Sequence, residues 1–202
     1  VRTGDAGPKG VSAVLVENGT PGLSFGANER KMGWKAQPTS EVRFDDCCVT
    51  ADHLLGEEGK GFRYAMAGLD GGRLNIAASA LGAAQSALDK AVAYARERKA
   101  FGRPIADFQS LQFKLADMET ELQAARIFLY QAASKLDAGA PDASKHCAMA
   151  KRFVTDAAFK VANDALQIHG GYGYLADFGL EKIVRDLRVH QILEGTNEIM
   201  RV

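Results

Sequence analysis

The chain has 202 residues, 47% of them hydrophobic, and its 25 lysines and arginines balance 25 aspartates and glutamates. This balance argues against a nucleic-acid-binding protein, which usually carries an excess of basic residues. The apolar content is enough for a substantial core. No apolar run approaches the roughly 20 residues that cross a bilayer, so we expect no membrane span.

Cysteine usage and the first residues narrow the class of protein further. Cys47 and Cys48 are adjacent and Cys147 stands alone. An odd number of cysteines without framework spacing is typical of a reduced intracellular protein. There is no CxxC or HExxH motif, so we predict no metal site. The opening VRTGDAGPKG has no features of a signal peptide and resembles a loop entered midway, which suggests a piece of a longer protein.

Residues 1–55 carry the signals of short strands. VSAVLV at residues 11–16 is a candidate strand, and Val42 and Phe44 alternate with charged residues in EVRFDD. GTPG at residues 19–22 has turn chemistry. These signals predict a few antiparallel strands, too few to close a sheet alone.

From residue 60 the hydrophobic period becomes helical, with three long apolar stripes. The first stripe consists of Leu74, Ala78, Leu81, Leu88, Val92 and Ala95. The second consists of Leu111, Leu115, Met118, Leu122, Ala125 and Leu129. The third consists of Ala150, Val154, Ala157, Val161, Ala165 and Ile168. With a shorter helical segment near residues 179–188, the stripes predict an antiparallel helical bundle. We expect Asp107 to cap the second helix, and Gly139 and Pro141 to separate it from the third.

LDGGRLN at residues 69–75 places two glycines inside a helical pattern, where each costs about 1 kcal/mol relative to alanine. One interpretation is a helix start or a kink. The other is that a ligand approaches the backbone at Gly71 and Gly72, with Arg73 holding an anion or a carbonyl.

Two further segments combine glycines with groups that could hold phosphate. ERKAFGRPIADFQ at residues 97–109 joins two helices. Its basic residues are explained by the helix macrodipole or by phosphate binding, for which Arg98 has suitable guanidinium geometry. QIHGGYGY at residues 167–174 is typical of a helix C-terminus, and its glycines would also let a flat ligand or phosphate lie against the backbone. His169 by itself is more often structural than catalytic.

The fourth segment, HQILEGTNEIMR at residues 190–201, places Glu194 after Ile192 and Leu193. Desolvation there would make the carboxylate a usable base near neutral pH. Thr196 can cap the following helix. The alternative is that Glu194 only precedes this cap and is exposed and inert.

Together LDGGR, RKAFGRPI…Q, QIHGGYGY and VRDLRVHQILEGTNEIMR resemble the acyl-CoA dehydrogenase family. The resemblance covers essentially the whole chain, and it is specific because four separated motifs match in order. It implies a mainly α fold. Residues 1–55 would be the end of an incomplete middle β-domain, and residues 56–202 would form the C-terminal antiparallel four-helix bundle.

The resemblance implies an enzyme that oxidises a short, branched acyl-CoA thioester to the 2-enoyl-CoA with FAD. Glu194 matches the base that removes the α-proton, while the β-hydrogen leaves as hydride to flavin N5. The developing charge on the thioester oxygen requires hydrogen bonds in a water-poor pocket. Some relatives place the base one residue before the arginine of LDGGR. Here that residue is Gly72, which cannot act, and this favours Glu194.

The resemblance also implies binding residues and partners. The implied substrate-binding residues are Asp70, Gly71, Gly72, Arg73 and Gly195. The implied FAD-binding residues are Arg98, Phe101, Phe108, Gln109, Gln167, Gly170, Gly171, Thr196 and Glu198. Several of them match residues that hold FAD from a neighbouring subunit, so a homotetramer with shared sites is implied. Electron-transfer flavoprotein would accept the electrons, in the cytoplasm of a bacterium or the mitochondrial matrix of a eukaryote.

Two other functions stay open. Flavin oxidases and monooxygenases share this fold, and fold alone does not decide function. The Glu194 motif favours dehydrogenation, because the monooxygenases generally lack that base. The chain could also be an inactive helical assembly fragment, which would bind no FAD.

Overall fold

The computed structural model describes residues 1–202 and is mainly helical, which confirms the predicted fold class. The helices are α1 (Gly61–Glu97), α2 (Gln109–Asp137), α3 (Ala143–His169) and α4 (Leu180–Arg188). The strands are β1 (Ala13–Val14), β2 (Leu23–Phe25), β3 (Val42–Phe44), β4 (Leu54–Leu55), β5 (Lys99–Ala100) and β6 (Arg103–Pro104). Short 3-10 turns occupy Pro8–Gly10, Ala51–His53, Ile105–Asp107, Gly170–Tyr174, Ala176–Phe178, Val189–Gln191 and Ile199–Arg201.

The chain divides into two compact units, residues 1–31 with 35–69, and residues 32–34 with 70–202. In the first unit β1 pairs with β4 and β2 pairs with β3, both antiparallel. The turn before β2 requires a glycine, since Gly22 has φ +86° and a Cβ there would lie 2.2 Å from the Asp45 carbonyl oxygen. The predicted strands therefore exist but are only two or three residues long. The predicted domain division at residues 55 and 56 stays a prediction.

In the second unit all four helices contribute buried side chains to one core. The buried face of α1 is built from alanines three or four residues apart: Ala77, Ala80, Ala84, Ala87, Ala91 and Ala95. Leu122 of α2, Val154 of α3 and Leu180 of α4 are fully buried in the same core. The prediction of the first apolar stripe is wrong for one residue, because Ala78 is exposed. The leucine spacing suggested its position, but the small residues that let neighbouring helices approach lie on the adjacent face.

The ends of the helices follow the glycines more closely than the side-chain caps. Gly139, with φ +61°, follows α2, and Gly170, with φ +60°, follows α3. The predicted cap Asp107 is wrong, because it belongs to the 3-10 turn before α2, and Phe108 stands at the N-cap without a side-chain hydrogen bond. No helix of the chain has both the length and the apolar character needed to cross a membrane.

Candidate active site

The backbone turns sharply at Glu194 and Gly195, after α4 and the 3-10 turn that follows it. Both residues have a left-handed backbone conformation, with φ +56° at Glu194 and φ +88° at Gly195. Glycine adopts this conformation freely, but a residue with a Cβ pays roughly 1–2 kcal/mol for it. A strained glutamate persists only where surrounding contacts hold it, and such residues cluster at functional sites.

This turn directs the Glu194 side chain against the backbone of α1. A Cβ placed on Gly72 would lie 2.6 Å from Glu194 Oε2 and 3.0 Å from its Cδ. A side chain at this position would force the carboxylate to shift, so the bare backbone at Gly72 leaves room for its observed placement. The two glycines of LDGGR neither start nor break the helix, since α1 continues from Gly61 to Glu97.

A fully buried lysine on α3 holds the turn from the other side. Lys151 Nζ donates hydrogen bonds to the Gly195 carbonyl at 2.7 Å and to Asn197 Oδ1 at 2.9 Å. Burial is the main cause that lowers the pKa of this ammonium, and the nearby Asp156 carboxylate partly opposes the effect. Sequence reasoning missed Lys151. The available signal was a lysine next to Ala150 and three residues before Val154, on an otherwise apolar helix face.

Asn197 links this lysine to a carboxylate. Its buried amide Nδ2 donates to Asp156 Oδ1 at 2.7 Å and to Thr155 Oγ1 at 3.0 Å. Its backbone N–H donates to the Gln191 carbonyl at 2.9 Å, and Gln191 Nε2 in turn donates to Asp156 Oδ1 at 2.8 Å. Residues on both sides of Glu194 are therefore anchored to α3 by buried or partly buried hydrogen bonds.

Asp70 and Arg73, which lie about one turn apart on α1, form an ion pair with 3.0 Å between Arg73 Nη1 and Asp70 Oδ1. Both side chains are largely buried, and the Ser144 hydroxyl on α3 donates to the other carboxylate oxygen of Asp70. Arg73 Nε is buried and has no partner within the chain. The predicted substrate-binding residues Asp70 and Arg73 are thus fixed on the same helix as Gly72.

The two acids of the last segment have different surroundings. Glu198 is exposed, and hydrogen bonds from its own backbone N–H and from the Thr196 hydroxyl lower its pKa. Thr196 also accepts from the backbone N–H of Ile199 at 3.4 Å, a weak form of the predicted cap. Ile192 is 48% exposed, so within this chain it does not enclose Glu194 as expected. These hydrogen bonds favour the ionised form of Glu198 at the surface.

A separate group of predicted residues lines a cavity of about 380 Å³ between the end of α1 and the end of α3. Arg98, Gly170 and Gly171 line it together with Tyr172, and the Arg98 guanidinium lies 5.5 Å from the centre of the Tyr172 ring. A Cβ on either glycine would meet nothing within 4 Å, so their backbone is open to a ligand. Gln167 is exposed on the last turn of α3 and does not line this cavity.

The loop between α1 and α2 is a two-residue hairpin between β5 and β6. Phe101 and Gly102 at its tip have φ +51° and φ +81°, as the tight hairpin turn requires. The Phe101 side chain is 96% exposed, and its ring centre lies 6.1 Å from that of Phe108. Gln109 is exposed at the first position of α2. Phe101 and Gln109 are therefore exposed at this end of the bundle, whereas Phe108 is half-buried and packs against the core.

The remaining chemistry-bearing groups do not form a second centre. Cys147 is buried, and burial followed by the charge of Asp70 raises the pKa of its thiol, so it is a poor nucleophile. No three His, Cys, Asp or Glu side chains converge in a way that could hold a metal ion.

Residues 59–202 match the family model for the acyl-CoA dehydrogenase C-terminal domain. The chain therefore belongs to the acyl-CoA dehydrogenase family, as the sequence motifs predicted.

The chain is similar to curated relatives and solved structures over nearly its whole length. It is 53% identical to isobutyryl-CoA dehydrogenase of Bos taurus over 100% of this chain and 48% of the relative. It is 46% identical to butyryl-CoA dehydrogenase from Megasphaera elsdenii, with a TM-score of 0.94 over 99% of this chain and 52% of that chain. A chain in the structure of the electron transferring flavoprotein of Acidaminococcus fermentans is 50% identical, with a TM-score of 0.93 over 96% of this chain and 51% of that chain. The chain thus spans about half the length of the relatives it matches.

His190, at the start of the Glu194 segment, generates a prediction about pH. Its ring is buried, has no hydrogen-bond partner and lies 4.9 Å edge-on to Trp34. Burial is the main cause that lowers its pKa below the ordinary value of about 6.5. The charge of Asp186 opposes this shift and that of Lys151 adds to it. The folded chain therefore keeps His190 neutral at a pH where the unfolded chain binds a proton, so this group's contribution to stability is lost as pH falls below about 6.5.

In a His190→Phe variant, which retains an aromatic ring beside Trp34, this contribution is absent. As the pH falls from 7 to 5.5, we expect the free energy of unfolding to decrease more steeply for the unsubstituted chain than for His190→Phe, by up to about 1.4 kcal/mol per pH unit. Urea unfolding of both proteins at each pH measures the difference. If the free energies of unfolding of the two proteins change equally with pH, the prediction that folded His190 stays neutral would be wrong.

Proposed function

We propose that the protein is an acyl-CoA dehydrogenase that converts a short, branched acyl-CoA thioester to its 2-enoyl-CoA, with Glu194 as the base. The observation that carries this proposal is the contact of the Glu194 carboxylate with bare backbone at Gly72, in a strained turn anchored from behind by Lys151. Family membership supports the class of reaction. The 53% identity to an isobutyryl-CoA dehydrogenase supports the choice of substrate.

The residues present are compatible with FAD, the cofactor that we propose. Arg98 offers a guanidinium beside the backbone of Gly170 and Gly171, which no side chain covers, and this arrangement suits a pyrophosphate. The cavity holds only part of a dinucleotide. The exposed Phe101 and Gln109, together with the half-buried Phe108, would contact FAD bound chiefly by a neighbouring subunit. Gln167 would join them from the end of α3. Thr196 and Glu198 would contact the flavin held beside the base.

The chain's own groups account for the proton part of the reaction. In the proposed mechanism Glu194 accepts the α-proton of the thioester, and its backbone N–H stabilises the charge that develops on the thioester oxygen. Bound FAD supplies the acceptor for the hydride that leaves the β-carbon. Asp70 and Arg73 hold the substrate near Gly72, and Gly195 keeps the backbone beside the base free of a side chain. The missing side chains at Gly71 and Gly72 leave room for a branch on the acyl group.

The proposal extends to assembly and location. The outward-facing hairpin residues favour a homotetramer in which one subunit completes the FAD site of another. Electron-transfer flavoprotein is the proposed acceptor of electrons. We propose an intracellular location, cytoplasmic in a bacterium and in the mitochondrial matrix in a eukaryote.

Anaerobic titration of the FAD-loaded enzyme with a panel of acyl-CoA thioesters tests the function. We expect isobutyryl-CoA to reduce the flavin faster than straight-chain thioesters, measured by loss of flavin absorbance. Preference for a straight medium chain would exclude the proposed substrate. Rapid oxygen consumption during aerobic turnover would identify an oxidase instead.

A Glu194→Gln variant tests the base. The amide keeps the size of the side chain but cannot accept the α-proton, so we expect normal flavin content and a rate of flavin reduction at least 1,000-fold lower, about 4 kcal/mol in the barrier. Glu119→Gln, an exposed change on α2, is the matched control and should reduce its flavin normally. Reduction by Glu194→Gln at an undiminished rate would remove Glu194 from the mechanism.

Gly72→Ala tests the contact that places the carboxylate. The added methyl would meet Glu194 Oε2 at 2.6 Å, so we expect the carboxylate to shift and flavin reduction to slow by about 100-fold. Gly82→Ala on the same helix is the control, since a Cβ there meets nothing and alanine favours the helix. Equal rates in the two variants would show that the room at Gly72 is not needed.

A further inference from the structure

We propose that Lys151 is a positioning residue that fixes the Glu194–Gly195 turn, so that the base meets its substrate in one orientation. The inference rests on the proposed role of Glu194. It assigns a function to a buried cation that takes no part in the chemistry itself and that the sequence motifs do not contain.

The contacts of Lys151 are concentrated on the segment immediately after the base. Its ammonium is fully buried and donates to the Gly195 carbonyl at 2.7 Å and to Asn197 Oδ1 at 2.9 Å. Hydrogen bonds from a charged donor are roughly twice as strong as those between neutral groups. A buried cation kept in this place is therefore well suited to hold a backbone conformation that Glu194 would not adopt unaided.

Planarity of the peptide bond extends the effect of this contact. The carbonyl of Gly195 and the N–H of Thr196 belong to one trans peptide and point in opposite directions. Because Lys151 draws the carbonyl toward α3, the Thr196 N–H faces away from the helix. The ammonium thus sets the orientation of the peptide that directly follows the base and its glycine.

The remaining hydrogen bonds keep the lysine itself in place. Asn197 Oδ1 accepts a hydrogen bond from Lys151, and Asn197 Nδ2 donates hydrogen bonds to Asp156 and Thr155. The Thr155 hydroxyl donates to the Lys151 carbonyl at 2.8 Å. Asp156 supplies the negative charge of the network without touching the ammonium directly, which leaves the donors of Lys151 free for the turn.

Replacing Lys151 with methionine removes the ammonium and retains an unbranched side chain that fits the buried site. Lys160→Met is the matched control, because Lys160 is an exposed residue of α3 paired with Glu121. Two measurements apply to both variants. Hydrogen–deuterium exchange of residues 192–198 is measured on the chain. The rate of flavin reduction is measured on the FAD-loaded enzyme over a range of isobutyryl-CoA concentrations up to saturation.

For Lys151→Met we expect exchange at residues 192–198 to accelerate at least tenfold, while α2 exchanges as before. We expect the limiting rate of flavin reduction to fall about 100-fold with little change in KM, because a displaced base slows the chemical step more than binding. Lys160→Met should change neither quantity. An effect on exchange alone or on rate alone would overturn the inference, since positioning requires both.

If Lys151→Met fails to fold, Lys151→Arg retains the charge with a different donor geometry. Slow reduction and faster exchange in that variant support positioning, and wild-type values overturn it. If the unsubstituted enzyme reduces no flavin with any acyl-CoA, the proposed function is wrong. The exchange comparison then still decides whether Lys151 anchors the turn.

Discussion

The contact between the Glu194 carboxylate and the backbone of α1 is the constraint on which the candidate site depends. It combines the absence of a side chain at Gly72 with a left-handed backbone at Glu194, and neither feature is favourable by itself. A glycine inside a helix and a glutamate at positive φ each cost roughly 1 kcal/mol or more. The packed alanine-rich core of α1 and the buried hydrogen bonds from α3 hold both in place.

The candidate site is divided between groups that we propose to face a substrate and groups that hold them in place. Glu194, Asp70 and Arg73 carry the charges that a thioester substrate would meet. Lys151 and Asn197 lie behind the turn, fully or almost fully buried, where a ligand does not reach them. A rigid support of this kind lowers the cost of organising the site when a substrate binds.

The sequence was sufficient to predict the helices and the family, because each leaves a periodic or local mark. The stripes of α2 and α3 follow the helical period, and the glycines mark the ends of both helices. The sequence did not reveal the capping of α2, since Asp107 enters a 3-10 turn. Lys151 also escaped prediction: its role comes from hydrogen bonds to residues more than 40 positions later, which no local pattern encodes.

The enclosure of Lys151 has a chemical consequence under the proposed function, in which the protein binds acyl thioesters. Such thioesters transfer their acyl groups to free amines, and exposed lysines near a bound substrate are natural targets of that side reaction. The ammonium of Lys151 is screened from solvent and has its donors engaged with Gly195 and Asn197. The cation that supports the turn is thereby protected from acylation by the very compound whose oxidation we attribute to the enzyme.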